Sequence, residues 1–151
     1  MATESVLDLL KCAESLSSRE MMKWALRNLR ETLDILNVDV ESDEEYKTLV
    51  MDATHFFTYE KRVGDMRASA LRMHEAARAT KDETRANLLR AYGHILATSH
   101  IREHALHATD SMLSALRCGG ISEAEVCKIA IKQAADLEIL ARFSVSIDSP
   151  K

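Results

Sequence analysis

Residues 93–116 read GHILATSHIREHALHATDSMLSAL, and the expectation for the whole chain starts from them. Ile101, Ala105, Ala108 and Met112 recur at steps of three and four, the period of one helix face, without the alternation a strand needs. The stretch also carries His94, His100, His104 and His107, four of the six histidines. It either bends near Thr98 and Ser99 or continues as one helix to Arg117. Cys118-Gly119-Gly120 then ends it, because glycine can take the left-handed conformation past a helix C-terminus.

Both flanks read the same way. Ser17 with Glu20, Ser42 with Glu45, Thr80 with Glu83 and Ser122 with Glu125 have the spacing of capping boxes, each just before an apolar periodic run. Helices are expected over about 4–16 (capped by Thr3), 18–36, 43–61, 65–79, 81–97 and 123–142. Met22, Leu29, Leu33 and Leu36 make a continuous seam, and the alanines around 68–79 imply close helix–helix approach. Gly64 is a weak break, costing only about 1 kcal/mol against alanine. The chain has 151 residues, one proline (Pro150) and four glycines, too few turn formers for a sandwich or barrel. The expected fold is all-α: a single-domain compact bundle of six to seven helices over 1–143, followed by a flexible tail over 144–151.

Composition excludes several functions. A net charge of -4 provides no basic field for nucleic acid. The N-terminal MATESVLDLL places Glu4 and Asp8 where an export signal needs a basic and then an unbroken apolar run. No stretch approaches the roughly 20 apolar residues of a membrane span. Cys12, Cys118 and Cys127 form no CxxC pair, which implies free, buried thiols and a reducing cytoplasm.

Candidate chemistry is sparse. His100 and His104 stand four apart, with His107 three further on, so one helix face would carry all three. Such a pair can chelate zinc, copper or nickel if a third group such as His94 or His74 converges on it; otherwise the rings border the apolar seam. His100-Ile-Arg-Glu103-His104 also spells the HxxEH pattern of inverted zinc proteases. That reading would have to invoke a distant carboxylate such as Glu138, and the chain leaves little room for a substrate cleft. No cysteine has a nucleophile's context, and there is no phosphate-binding glycine loop. Neither an enzyme nor a resident cofactor is expected.

Two charged features remain. Arg19, Lys23, Arg27 and Arg30 stripe one face as a solvated surface or an electrostatic docking face. Residues 37–45, NVDVESDEE, are the most acidic stretch, and acidity in a first helical turn is favoured by the helix dipole. Asp39, Glu41, Asp43 and Glu44 are the candidates for binding a basic protein partner. Trp24, Met21 and Met22 are read as core in preference to an exposed anchor.

Gly93, His94, Ala97, Thr98 and His100, followed by His104, Ala105 and Leu106, resemble a family of immunity proteins of bacterial polymorphic toxin systems. Its wording is G-H-A-V-A-T-A-H with H-A-L a few residues later. The resemblance covers residues 65–117. This chain has Arg102 and Glu103 where members often have a proline, and His107 where they have a glycine. The resemblance implies a non-enzymatic helical protein that binds a cognate toxin and blocks it stoichiometrically. It also implies that His94, His100 and His104 fix a helix junction, at which Gly93 lets two helices approach. A metal-binding helical protein and a self-associating structural or regulatory domain are the rival readings, and homo-oligomerisation stays open.

Overall fold

The computed structural model describes residues 2–148, with side chains described over 9–143. Among the described residues seven α-helices follow one another: α1 Ala2–Ser15, α2 Ser18–Ile35, α3 Glu44–Phe57, α4 Val63–Ala79, α5 Glu83–Ala97, α6 His104–Cys118 and α7 Glu123–Asp148. A 3-10 turn, Val40–Ser42, stands between α2 and α3. There is no strand among the described residues, as the scarcity of turn formers predicts.

The helix starts show which side chains won the capping positions. Ser17 and Glu20 form the expected reciprocal box before α2. Ser42 does not cap α3. Asp43 does, accepting the Tyr46 N–H at 2.9 Å, while Ser42 donates its hydroxyl to Asp39 inside the 3-10 turn. Asp82 displaces Thr80 at α5, accepting from the N–H groups of Thr84 and Arg85. In both cases a carboxylate closer to the helix outcompetes a hydroxyl further out, because it brings charge to the positive end of the dipole. Ser122 does accept the Glu125 N–H, at 3.2 Å. At the start, α1 already includes Thr3, so that residue is not its cap.

Helix ends differ from expectation for equally local reasons. α3 stops at Phe57 instead of 61 because Tyr59 turns left-handed (φ 64°) and the His55 carbonyl takes the N–H groups of Glu60 and Lys61. The Arg19 guanidinium lies 4.0 Å from the Tyr59 ring centre, which holds that turn against α2. Gly64 does not break the chain; it sits in the first turn of α4. α7 runs on to Asp148, and residues 149–151 of the expected tail lie outside the described ones.

α5 is the centre of the packing, lying between α4 and α6 in the two most extensive helix pairings; α2 backs α6, and α7 rests on α1 and α6. Small residues make this possible: Ala70 and Ala77 on α4, Ala91 on α5, and Ala105, Ala108 and Ala115 on α6 are all buried. Met21, Met22, Leu29, Leu33, Tyr92, Ile95, Leu96 and Met112 fill the space between. Trp24 is buried and donates its indole N–H to the Gln133 carbonyl at 3.1 Å, tying α2 to α7. It is core, not an anchor. The thiols correct an expectation, since Cys118 and Cys127 are exposed and Cys12 is half-buried. Cys118 ends α6 and Cys127 occupies an outward position on α7, so neither reaches the seam.

Candidate functional site

The motif stretch bends. Thr98 closes α5, its hydroxyl donating back to the His94 carbonyl at 2.9 Å, and α6 begins at His104 after a short turn. Ala97, Thr98 and Ser99 are buried in the junction, so the reversal is packed on both sides. Arg102 pins it to the first helix by donating to the carbonyls of Glu14 and Leu16. α6 therefore folds back along α5 and brings His104 opposite His94.

Five histidines meet there. His94 Nδ1 and His104 Nδ1 are 3.2 Å apart. The ring centres of His94, His104 and His107 form a near-equilateral triangle with sides of 5.4, 5.5 and 5.6 Å. His74, from α4, stands edge-on to His94 at 4.9 Å, and His100 lies 5.7 Å from His104. Gly93 makes room for this: a Cβ there would be 2.7 Å from His74 Nε2.

Burial is the first cause that keeps His74, His94, His100 and His104 neutral. It pushes His94 down to about 4, helped by His74, His104 and His107 around it. His104 and His74 are lowered by the same desolvation, with His107 adding to the first and Arg78 and Arg90 to the second. His100 is lowered as well, and its Nδ1 is buried without a hydrogen-bond partner. At neutral pH His74, His94, His100 and His104 thus present lone pairs and single N–H groups, not cations. Among the described residues no group of three or more His, Cys, Asp or Glu side chains has its donor atoms placed to hold a metal ion. Glu138, the carboxylate an inverted-protease reading would need, is on the exposed surface of α7.

A second polar centre lies at the start of α3, where the sequence suggested a binding surface. Asp43 points inwards. Its carboxylate takes both terminal nitrogens of Arg85, at 2.7 and 2.8 Å, and the Tyr92 hydroxyl at 2.7 Å. Glu45 joins through Arg85 at 3.0 Å. Burial alone would raise the Asp43 carboxyl, but Arg85, the Tyr46 N–H and Tyr92 together hold it below the usual carboxylate range. Tyr92 is pushed far above its ordinary value by burial and by Asp43. Asp43 is therefore spent on the fold, whereas Asp39, Glu41 and Glu44 face outwards. Sequence reading missed Arg85 and Tyr92 as partners; their spacing of seven on α5, which puts them on one face, is the signal that could have found them.

Glu41 borders a shallow groove of about 440 Å³ whose lining includes Val40, Val50 and Met51 and the basic side chains Arg30, Lys47 and His55, while Glu44 pairs with Lys47 at 3.6 Å. Met51 is 60% exposed and Val50 39%. The basic stripe is partly committed elsewhere: Arg19 covers Phe56 and Tyr59, Lys23 covers Phe57, and Arg30 pairs with Asp34.

These features define a class first, an all-helical domain whose polar centres sit at helix junctions and whose acidic turn adjoins an apolar groove. A family model described as Imm-5 like putative immunity protein matches residues 11–139, and the chain belongs to that family. No curated protein and no solved structure gives a match. No helix among the described residues is long and apolar enough to cross a membrane.

Proposed function

We propose that this protein is a non-enzymatic immunity protein that binds a cognate toxin in the cytoplasm and neutralises it by occupying its surface stoichiometrically. Membership of the Imm-5 like family over residues 11–139 is the observation that carries this reading. The surface that supports it best is the turn before α3. Asp39, Glu41 and Glu44 are exposed there, and the neighbouring groove offers Val40, Val50 and Met51 as apolar contacts. An interface built on a few buried anchors with a charged rim suits a partner with a basic face, since rim charges set encounter rate and register. The Asp43–Arg85–Tyr92 network behind this turn fixes its shape, so the surface meets its partner preformed.

The test is co-purification with the product of the adjacent gene. A one-to-one complex is expected, weakened by the paired charge reversals Glu41→Lys and Glu44→Lys and unchanged by Glu138→Lys on α7. A complex insensitive to the first pair would move the interface elsewhere, and no complex at all would remove the reading.

A further inference from the structure

We propose that His94, His104 and His107 form a three-histidine site for a divalent late first-row metal ion, with zinc as the reference ion, at the α5–α6 junction. Two imidazole nitrogens held about 2.05 Å from one tetrahedral ion lie about 3.3 Å apart, and the two ring centres about 5.1–5.5 Å apart as the angle opens towards trigonal. His94 Nδ1 and His104 Nδ1 are 3.2 Å apart, and the three ring centres are separated by 5.4, 5.5 and 5.6 Å. Without an ion, the Nδ1 pair shares a single proton in one hydrogen bond, and the His107 ring stands against both partners at 5.5 and 5.6 Å. A metal ion would replace these contacts with three coordinate bonds.

The surroundings select these three over the other two histidines. His74 lies within the field of Arg78 and Arg90, and His100 within that of Arg67, which disfavour a cation on their side of the cluster. On the α6 side the charges are opposite: Glu103 acts on His104, and Asp110, one turn beyond His107, acts with it. A carboxylate next to a ligating imidazole orients the ring and strengthens its basicity. His107 is exposed while His94 and His104 are half-buried, so an ion can enter from solvent. Coordination requires the His94 and His104 rings to swing their Nδ1 lone pairs from each other towards a shared point, and the exposed His107 ring to turn a nitrogen onto it.

The experiment uses the full chain, stripped with a chelator and titrated with zinc by calorimetry, with thermal melts in parallel. All samples carry Cys118→Ser and Cys127→Ser, because these exposed thiols could bind zinc by themselves. One saturable equivalent is expected, together with a rise in Tm that the chelator reverses. His107→Gln, at an exposed position that the fold does not need, should weaken binding by about a hundredfold or more, since loss of an outer-shell partner alone costs roughly 10–100-fold. His104→Gln should do the same, whereas His55→Gln on α3 should change nothing. Absence of saturable zinc binding would overturn the site, as would binding untouched by either α6 substitution in a chain that still melts cooperatively.

Discussion

Arg85→Met is the sharpest perturbation the fold offers. It keeps the length and much of the apolar packing of the side chain but removes both nitrogens from Asp43, which is left 3% exposed with only the Tyr92 hydroxyl and the Tyr46 N–H. Breaking a buried ion pair on one side costs about 3–5 kcal/mol. The Arg85 side chain is 26% exposed, so solvent screens part of the interaction and about 2–4 kcal/mol is the expected loss. At about 3 °C per kcal/mol for a chain of this size, Tm should fall by roughly 6–12 °C. The pH dependence identifies the cause. In the wild type the folded Asp43 lies below the value of 3.8 it has when unfolded, so its contribution is present above that value and is lost as pH falls through the folded one. In the variant burial dominates and raises Asp43, so the ionised carboxylate now opposes folding. The gap between the two proteins should be widest near pH 7 and close towards pH 3. Circular dichroism melts at both pH values measure it. A gap below about 1 kcal/mol at pH 7, or one that widens on acidification, would refute the reasoning.

Three further outcomes follow from the structure. Gly93→Ala should destabilise by roughly 0–2 kcal/mol, an overpacking cost of about 1–3 against His74 less the roughly 1 kcal/mol gained by alanine in a helix; in a His74→Ala background the sign should reverse, as chemical denaturation of the four proteins will show. Asp82→Ala should cost about 1 kcal/mol of stability and Thr80→Ala a few tenths at most, because Asp82 holds the cap of α5. In the native protein Cys118 and Cys127 should react readily with a thiol reagent and Cys12 more slowly, which mass spectrometry of the labelled chain can read.

The helices were legible in the sequence because their apolar seams and breaks are local signals. Leu29 and Leu33, or Ala105, Ala108 and Met112, declare a buried face without reference to any other part of the chain. Caps were less legible. Ser42 and Asp43, or Thr80 and Asp82, are competing acceptors within one or two residues, and the choice depends on a turn geometry that spacing does not encode. The convergence of histidines depends on the sharp reversal at Thr98, one of two continuations the sequence left open. His74 enters only because Gly93 lets α4 approach. The acidic turn was legible as acidic but not as divided. Asp43 turns inwards because Arg85 and Tyr92, more than forty residues away, supply its partners, whereas Glu41 stays exposed and Glu44 pairs at the surface with Lys47.

The most direct measurement of the central claim is a growth assay in which the adjacent gene's product is induced with and without this protein. The account predicts arrest without it, full rescue with it, and partial rescue when Glu41 and Glu44 are both replaced by lysine at equal expression. Arrest that persists in the presence of folded wild-type protein would contradict it.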